Sequence, residues 1–197
     1  MNNKPPKLYG LILSGGQSNR MGNDKGLLAY HGKPQREYLF ELAEAFCDTV
    51  YFSARQDQRH SFPADTPIIT DQNRYRGPFN GILSAHSAHP NVAWLVLACD
   101  LPLLDKKGLY ELVSRRNLDK VATAFSAKGS GLPEPLIAIW EPQALVGAKE
   151  YLKTVQSSCP RKFLIHSDIQ LVEPSQEDFL FNANSMEEYQ LAKEKLG

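Results

Sequence analysis

Near the N-terminus, a short apolar segment runs directly into a glycine-rich stretch that ends in a cation, residues 11–25 (LILSGGQSNRMGNDK). An apolar strand, a glycine-rich loop and then a cation are typical of α/β proteins that bind phosphate. Glycine lets backbone N–H groups approach an anion because it has no Cβ. Arg20 and Lys25 would add positive charge, and lysine acts on phosphate as a point charge. The alternative interpretation is a tight connection after the first strand that binds nothing.

The spacing of the glycines excludes two well-known phosphate loops. Five residues separate Gly16 from Gly22, and Gly26 follows Lys25, whereas a Walker loop requires G-x-x-x-x-G-K-[S/T]. Gly15 and Gly16 are adjacent, whereas the dinucleotide-binding fingerprint is G-x-G-x-x-G. A phosphate site in this stretch would therefore be of neither type.

Composition narrows the class of protein and its partners. The chain has 197 residues, of which 42% are hydrophobic and 22% charged, and this predicts one globular domain over residues 1–197. The 22 basic residues balance the 22 acidic ones, so no net charge favours nucleic acid or an anionic membrane as a partner. No window approaches the roughly 18 apolar residues of a membrane span. Three cysteines without metal-binding spacing suit a reducing compartment, and we predict a cytoplasmic location.

Apolar segments that alternate with helical patterns predict an α/β fold, with a mainly parallel sheet and helices on both faces. We predict strands at Leu8–Leu13 and at residues 49–53, 67–70, 92–98, 121–126, 135–140, 170–172 and 179–182. Helices are predicted at residues 37–46, 82–88, 105–115, 143–154 and 186–195, with loops at 55–65 and 73–81. The strand at residues 92–98 is the most apolar and is expected at the centre of the sheet.

Two aspartates follow predicted strands, at the edge of the sheet where α/β proteins bind ligands. Asp100 comes just after residues 92–98, and Asp71 follows residues 67–70. A carboxylate at such a position can hold a divalent cation that bridges phosphates, and Mg²⁺ needs only one or two protein carboxylates. The alternative for each aspartate is a turn or a helix N-cap. The five histidines show no spacing that indicates a zinc site.

The glycine-rich stretch and its surroundings, residues 13–34, resemble the signature of the molybdenum cofactor guanylyltransferases. These enzymes are nucleotidyltransferases with a Rossmann-like three-layer sandwich, the nucleotide-diphospho-sugar transferase or glycosyltransferase-A-like fold. The matching positions are Leu13, Gly15, Gly16, Ser18, Arg20, Met21, Gly22, Asp24, Lys25, Leu27, Leu28, Gly32 and Pro34. Further similarities follow in the same order as in the family. They are Asp71 and the RGPFNGI of residues 76–82, the CDLP of residues 99–102, and the FNANSMEE of residues 181–188.

The resemblance implies the following site. Arg20, Lys25 and Asp100 would be catalytic, with the two cations on the triphosphate and Asp100 holding Mg²⁺. The nucleotide would be bound by Leu13, Ser14, Gly15, Gly16, Lys25, Ser53, Asp71 and Asp100. Gly77, Pro78 and Gly81 would shape the neighbouring loop. The partners implied are GTP and molybdopterin or the molybdenum cofactor, with molybdoenzymes or other cofactor-biosynthesis proteins as further contacts.

The implied reaction transfers GMP from GTP to the acceptor and releases pyrophosphate. Ser53 stands where the family often carries Asn, and Glu134 lies where a His-Pro pair is common. Two alternatives therefore stay open. One is a sister nucleotidyltransferase that uses CTP or a sugar-phosphate acceptor, although the Gly15–Gly16 pair favours the guanine branch. The other is a nucleotide-binding regulator or cofactor chaperone without transfer activity.

Overall fold

The computed structural model describes residues 4–15, 25–155 and 157–197. Within these ranges, seven strands form one sheet in the order β3-β2-β1-β4-β6-β5-β7. Strands β1 to β4 are mutually parallel where they pair, β5 is parallel to β7, and β6 runs antiparallel to both β4 and β5. The strands are β1 (Leu8–Leu13), β2 (Thr49–Ala54), β3 (Ile68–Thr70), β4 (Ala93–Ala98), β5 (Ala122–Ser126), β6 (Pro133–Trp140) and β7 (Ile169–Val172).

Helices cover both faces of this sheet, because each face is a continuous apolar surface. The α-helices are α1 (Gln35–Glu44), α2 (Pro78–Ala88), α3 (Lys106–Ser114), α4 (Pro142–Thr154), α5 (Pro160–Ile165) and α6 (Met186–Leu196). Buried residues of α1 and α3 form one core with the sheet, and those of α2, α4 and α5 form a second core on the opposite face. The predicted three-layer α/β fold is confirmed. None of the described helices is long and apolar enough to span a bilayer.

Strand β4 lies in the middle of the sheet, as its apolar sequence predicts. All six of its residues are buried, because neighbouring strands flank both edges and helices cover both faces. The side chains alternate between the two cores, with Leu95 and Leu97 in one and Trp94 and Val96 in the other. The loop that follows β4 is therefore attached to a fully buried strand at the centre of the sheet.

Four local predictions differ from the structure. Helix α2 begins at Pro78 rather than at residue 82, since Gly77 adopts a φ of 61° and proline suits the first helical position. Helix α5 is not predicted, because six residues are too few to show a helical period. The predicted strand at residues 179–182 is wrong and is replaced by a 3-10 helix at Glu177–Leu180. Part of the predicted loop at 55–65 is a 3-10 helix, Gln56–Ser61.

Candidate active site

A cleft of about 600 Å³ opens at the carboxyl ends of the parallel strands β1 to β4. Each of these strands, or the residues that follow it, contributes to the wall, and the N-terminus of α2 closes one side. The lining residues include Leu13, Ser14, Gly15, Lys25, Ser53, Arg55, Asp71, Arg76, Gly77, Asn80, Gly81, Cys99 and Asp100. The expectation that strand-end side chains meet at one edge of the sheet is confirmed.

All the described residues that the sequence assigns to the site lie in this one cleft. They come from five separate parts of the chain and are Leu13, Ser14, Gly15, Lys25, Ser53, Asp71 and Asp100. Gly77, Pro78 and Gly81 also line it. The predictions for Gly16 and Arg20 lie outside the described residues.

Lys25 and Asp100 face each other inside the cleft. The Lys25 Nζ lies 3.8 Å from the Asp100 Oδ2 and donates a hydrogen bond of 2.6 Å to the Asn184 Oδ1. The helix-cap alternative for Asp100 is wrong, because Asp105 caps α3 by accepting a 2.8 Å hydrogen bond from the Gly108 backbone. Asp100 instead occupies the turn directly after β4, with its side chain directed at Lys25.

The Asp100 carboxyl has an oxygen available for a cation. Its Oδ1 is buried and has no hydrogen-bond partner among the described residues. Burial raises the pKa of Asp100, and the Lys25 ammonium opposes this increase. The described residues contain no group of three or more His, Cys, Asp or Glu that could form a metal cage. One carboxylate with such an oxygen fits a divalent ion that completes its coordination shell with substrate oxygens and water.

Ser53 and Asp71 form a second polar pair on the β2–β3 side of the cleft. The Ser53 hydroxyl donates a 2.6 Å hydrogen bond to the Asp71 Oδ1, and both residues are buried. Burial raises the pKa of Asp71, while the bond from Ser53 acts to lower it. A Cβ at Gly15 would lie 2.5 Å from the Asp71 Oδ2. Glycine at position 15 therefore allows the chain leaving β1 to pass against this carboxyl, and Asp71 is not an ordinary surface turn residue.

Several residues near the cleft have no role in the sequence-based prediction. Arg161 on α5 forms a 2.5 Å ion pair with Glu134, so the extra carboxylate at position 134 is charge-compensated. Asn184 holds Lys25, and the Ala183 backbone N–H donates to the Asp100 carbonyl. The Arg161 contact had no sequence signal because α5 itself was not predicted. Asn184 lies in the segment that resembles the family's C-terminal motif, which is the signal that points to it.

A glycine-bearing strand end, a lysine and an aspartate around one cleft of a mainly parallel sheet define a nucleotidyltransferase of the three-layer α/β type. The chain belongs to the family described as the MobA-like NTP transferase domain, whose model matches residues 10–169. The family resemblance seen in the sequence is thereby confirmed. For this family a requirement for a divalent metal is general.

Curated relatives cover most of the chain. It is 37% identical over 183 residues to the molybdenum cofactor biosynthesis bifunctional protein of Synechocystis sp., a match that covers 92% of this chain and 52% of that protein. The chain thus spans about half the length of that relative. It is 34% identical over 180 residues to the molybdenum cofactor guanylyltransferase of Pseudomonas fluorescens, covering 89% of this chain and 88% of that one.

A solved structure shares the fold. The crystal structure of molybdopterin-guanine dinucleotide biosynthesis protein A from Archaeoglobus fulgidus superposes with a TM-score of 0.75. The superposition covers 95% of this chain and 98% of that one, at 21% sequence identity. At this identity the likeness establishes the architecture alone, and the chemistry is argued from the cleft.

Proposed function

We propose that this protein transfers GMP from GTP to molybdopterin or the molybdenum cofactor, with Mg²⁺ as the metal and pyrophosphate as the second product. The observation that carries the proposal is the 3.8 Å approach of Lys25 to Asp100 in a cleft large enough for a nucleotide. The choice of acceptor is supported by the name of a relative that the chain matches over most of its length, the molybdenum cofactor guanylyltransferase of Pseudomonas fluorescens. We place the reaction in the cytoplasm, in line with the cysteine usage.

The proposed reaction is a displacement at the α-phosphorus. A phosphate oxygen of the acceptor forms a bond to that phosphorus, the bond to the β-phosphate oxygen breaks, and pyrophosphate leaves with the electron pair. A phosphate monoester has its second pKa near about 6, so the nucleophile is largely ionised at neutral pH and needs no general base. The described residues that line the cleft include no histidine, and the proposed reaction needs none as a general base. Positioning and charge stabilisation then supply the catalysis.

Each residue of the cleft has a distinct task in this proposal. Lys25, held by Asn184, would neutralise the phosphates of the leaving group, and Arg20 would assist it. Asp100 would hold Mg²⁺ through its Oδ1, which has no partner within the described part of the chain. When bound, the metal supplies positive charge to the phosphate oxygens. The backbone at residues 13–16 would contact the guanine and ribose, with Ser53 and Asp71 beside them.

A pyrophosphate-release assay with molybdopterin, Mg²⁺ and each of GTP, CTP, ATP and UTP tests the proposal. We expect release with GTP, and a loss of tenfold or more in Lys25→Ala, which is roughly the effect of removing one preorganised charge contact. Lys33→Ala is the matched control, since Lys33 pairs with Glu41 on the surface and should retain wild-type activity.

Three outcomes would contradict the proposal in different ways. A preference for CTP would assign the chain to a cytidylyltransferase. Nucleotide binding without pyrophosphate release from any combination would favour the regulator or chaperone alternative. Full activity in Lys25→Ala would reject the proposed role of the lysine.

A further inference from the structure

The 3-10 helix Gln56–Ser61 and its N-cap residue Arg55 hold the start of the glycine-rich loop through two side chains. The Gln58 Nε2 donates a 3.1 Å hydrogen bond to the Ser14 carbonyl, and the Arg55 Nη1 donates a 3.0 Å hydrogen bond to the Gly15 carbonyl. Two consecutive carbonyls at the end of β1 are thus held from one short helix. We refer to Arg55 and Gln58, with these two bonds, as the carbonyl clamp.

Both side chains of the carbonyl clamp are themselves held in place. The Gln58 Oε1 accepts a 3.1 Å hydrogen bond from the Arg55 backbone N–H, which fixes the orientation of the amide. The Arg55 Nε and Nη2 each donate a 3.0 Å hydrogen bond to the Asp57 carboxylate. A bidentate pair of this kind fixes the plane of the guanidinium and leaves Nη1 directed at Gly15.

The carbonyl clamp fixes the backbone exactly where it enters the cleft wall. The Ser14 N–H donates a 2.9 Å hydrogen bond to the Ser53 carbonyl, so Ser14 is held through both its N–H and its carbonyl. The Gly15 N–H has no acceptor among the described residues, although Gly15 lines the cleft. The Ser14 carbonyl held by Gln58 belongs to the same planar peptide group as the Gly15 N–H, so Gly15 presents a backbone donor in a fixed orientation. Fixing such a donor before binding reduces the entropy that a ligand must otherwise overcome.

We propose that Arg55 and Gln58 are positioning residues that set the affinity of the cleft for its nucleoside triphosphate. This inference rests on the proposed function in one respect, which is that the cleft receives a nucleotide. The carbonyl clamp acts through the Ser14 and Gly15 peptides, so its loss weakens nucleotide binding and leaves the phosphate-side residues Lys25 and Asp100 in place.

Gln58→Glu removes the bond from Gln58 to the Ser14 carbonyl and tests what that half of the carbonyl clamp contributes. The substitution keeps an oxygen to accept from the Arg55 N–H but replaces the donor to Ser14 with an oxygen that repels its carbonyl. Gln56→Glu is the matched control, because Gln56 is an exposed residue of the same 3-10 helix and undergoes the same change of charge. Isothermal titration with GTP and Mg²⁺ should show about three- to tenfold weaker binding for Gln58→Glu, the scale of one lost hydrogen bond. At saturating nucleotide, kcat should change far less than KM.

Arg55→Lys provides a second variant, since lysine keeps the charge but cannot bind Asp57 in a bidentate manner and reach Gly15 as well. It should weaken binding in the same direction. Thermal unfolding of each variant checks that it folds. Wild-type affinity in both folded variants would overturn the proposal, as would an equal loss in Gln56→Glu.

Hydrogen exchange of the nucleotide-free protein separates failure of the carbonyl clamp from failure of the proposed function. The Ser14 amide should exchange at least about threefold faster in Gln58→Glu than in Gln56→Glu, because Ser14 is then held through its own N–H and no longer through its carbonyl. An unchanged exchange rate of the Ser14 amide would show that the carbonyl clamp does not hold this residue and would overturn the proposal. If the wild-type protein binds no GTP, the proposed function is wrong, and faster exchange at Ser14 would still support the carbonyl clamp.

Discussion

Burial of the Asp100 carboxylate lowers the stability of the folded protein at neutral pH. Its Oδ1 is buried without a partner among the described residues, and Lys25 lies near the other oxygen. Burial raises the pKa of Asp100 even though the lysine favours the charged form. The ionised carboxylate is therefore better solvated in the unfolded chain than in the folded one.

Replacing Asp100 by asparagine should stabilise the nucleotide-free protein at neutral pH and reduce transfer by tenfold or more. Since the folded pKa lies above the ordinary 3.8, the folded protein retains this proton to higher pH than the unfolded chain does. The free energy of unfolding contributed by Asp100 is fully present below 3.8 and is lost as the pH rises through the folded pKa. Asp100→Asn avoids this loss because an amide does not ionise.

Urea unfolding between pH 3.5 and 7.5, at about half-unit intervals, measures this difference. The stability of Asp100→Asn relative to the wild type should be smallest at the acid end and grow towards neutral pH. Asp105→Asn is the control, because Asp105 caps α3 and asparagine caps a helix as well as aspartate does. A neutral-pH stability of Asp100→Asn below that of the wild type would contradict the desolvation argument.

The side chains that could be placed from sequence are those that follow apolar strands. Lys25, Asp71 and Asp100 share this property, and the sheet brings them into one cleft. Arg55 and Gln58 could not be placed in the same way. Their contacts depend on a 3-10 helix whose six polar residues carry no apolar period, so the sequence indicates only a loop.

Helix α2 contains a glycine that the packing of the cleft requires. A Cβ at Gly81 would overlap the Ser53 hydroxyl and lie 3.0 Å from the Leu13 Cδ2. The Ser53 hydroxyl cannot move away freely because it donates to Asp71. Helix α2 can therefore pack this closely against the strand ends only with glycine at position 81.

Gly81→Ala should destabilise the protein by about 1–3 kcal/mol, as overpacking usually does, although alanine is intrinsically the better helix former. Gly147→Ala on α4 should stabilise the protein by up to about 1 kcal/mol, since a Cβ there meets the Phe163 ring at an ordinary 3.7 Å. Thermal unfolding of both variants measures the contrast. Equal effects in the two variants would mean that Ser53 moves aside without cost.

The accuracy of the predicted elements follows the strength of their apolar patterns. The predicted bounds of β1 and β4 agree with the structure within one residue, because a largely buried strand requires a largely apolar sequence. Helix α5 was missed, and Phe179 was assigned to a strand although its burial comes from a single 3-10 turn. The antiparallel direction of β6 was not predicted, since an apolar run carries no information on strand direction.

Arg116 joins three distant parts of the chain. Its guanidinium donates to both Glu141 carboxylate oxygens, at 2.7 and 2.9 Å, and to the Pro6 carbonyl at 3.0 Å. The Glu141 side chain is only 3% exposed. Removing one partner of a buried pair leaves an uncompensated charge, which costs far more than the loss of a surface pair.

Glu141→Gln should lower the free energy of unfolding by about 3 kcal/mol and leave transfer per folded molecule unchanged, because the pair lies outside the cleft lining. Glu150→Gln breaks an exposed pair with Lys153 and should cost less than about 1 kcal/mol. Denaturant unfolding at neutral pH compares the two variants. Similar losses in both would show that the Arg116 pair is solvated in solution.

The reversed direction of β6 has a consequence for how relatives could diversify. Because β5 and β6 are antiparallel, the hairpin loop at residues 127–132 lies on the same rim as the ends of β1 and β4. Changing the length of such a loop costs little, since each doubling adds only about 0.6 kcal/mol of closure entropy. Grafting this hairpin from a homologue should therefore leave β1 and β4 intact, and with them the facing positions of Lys25 and Asp100.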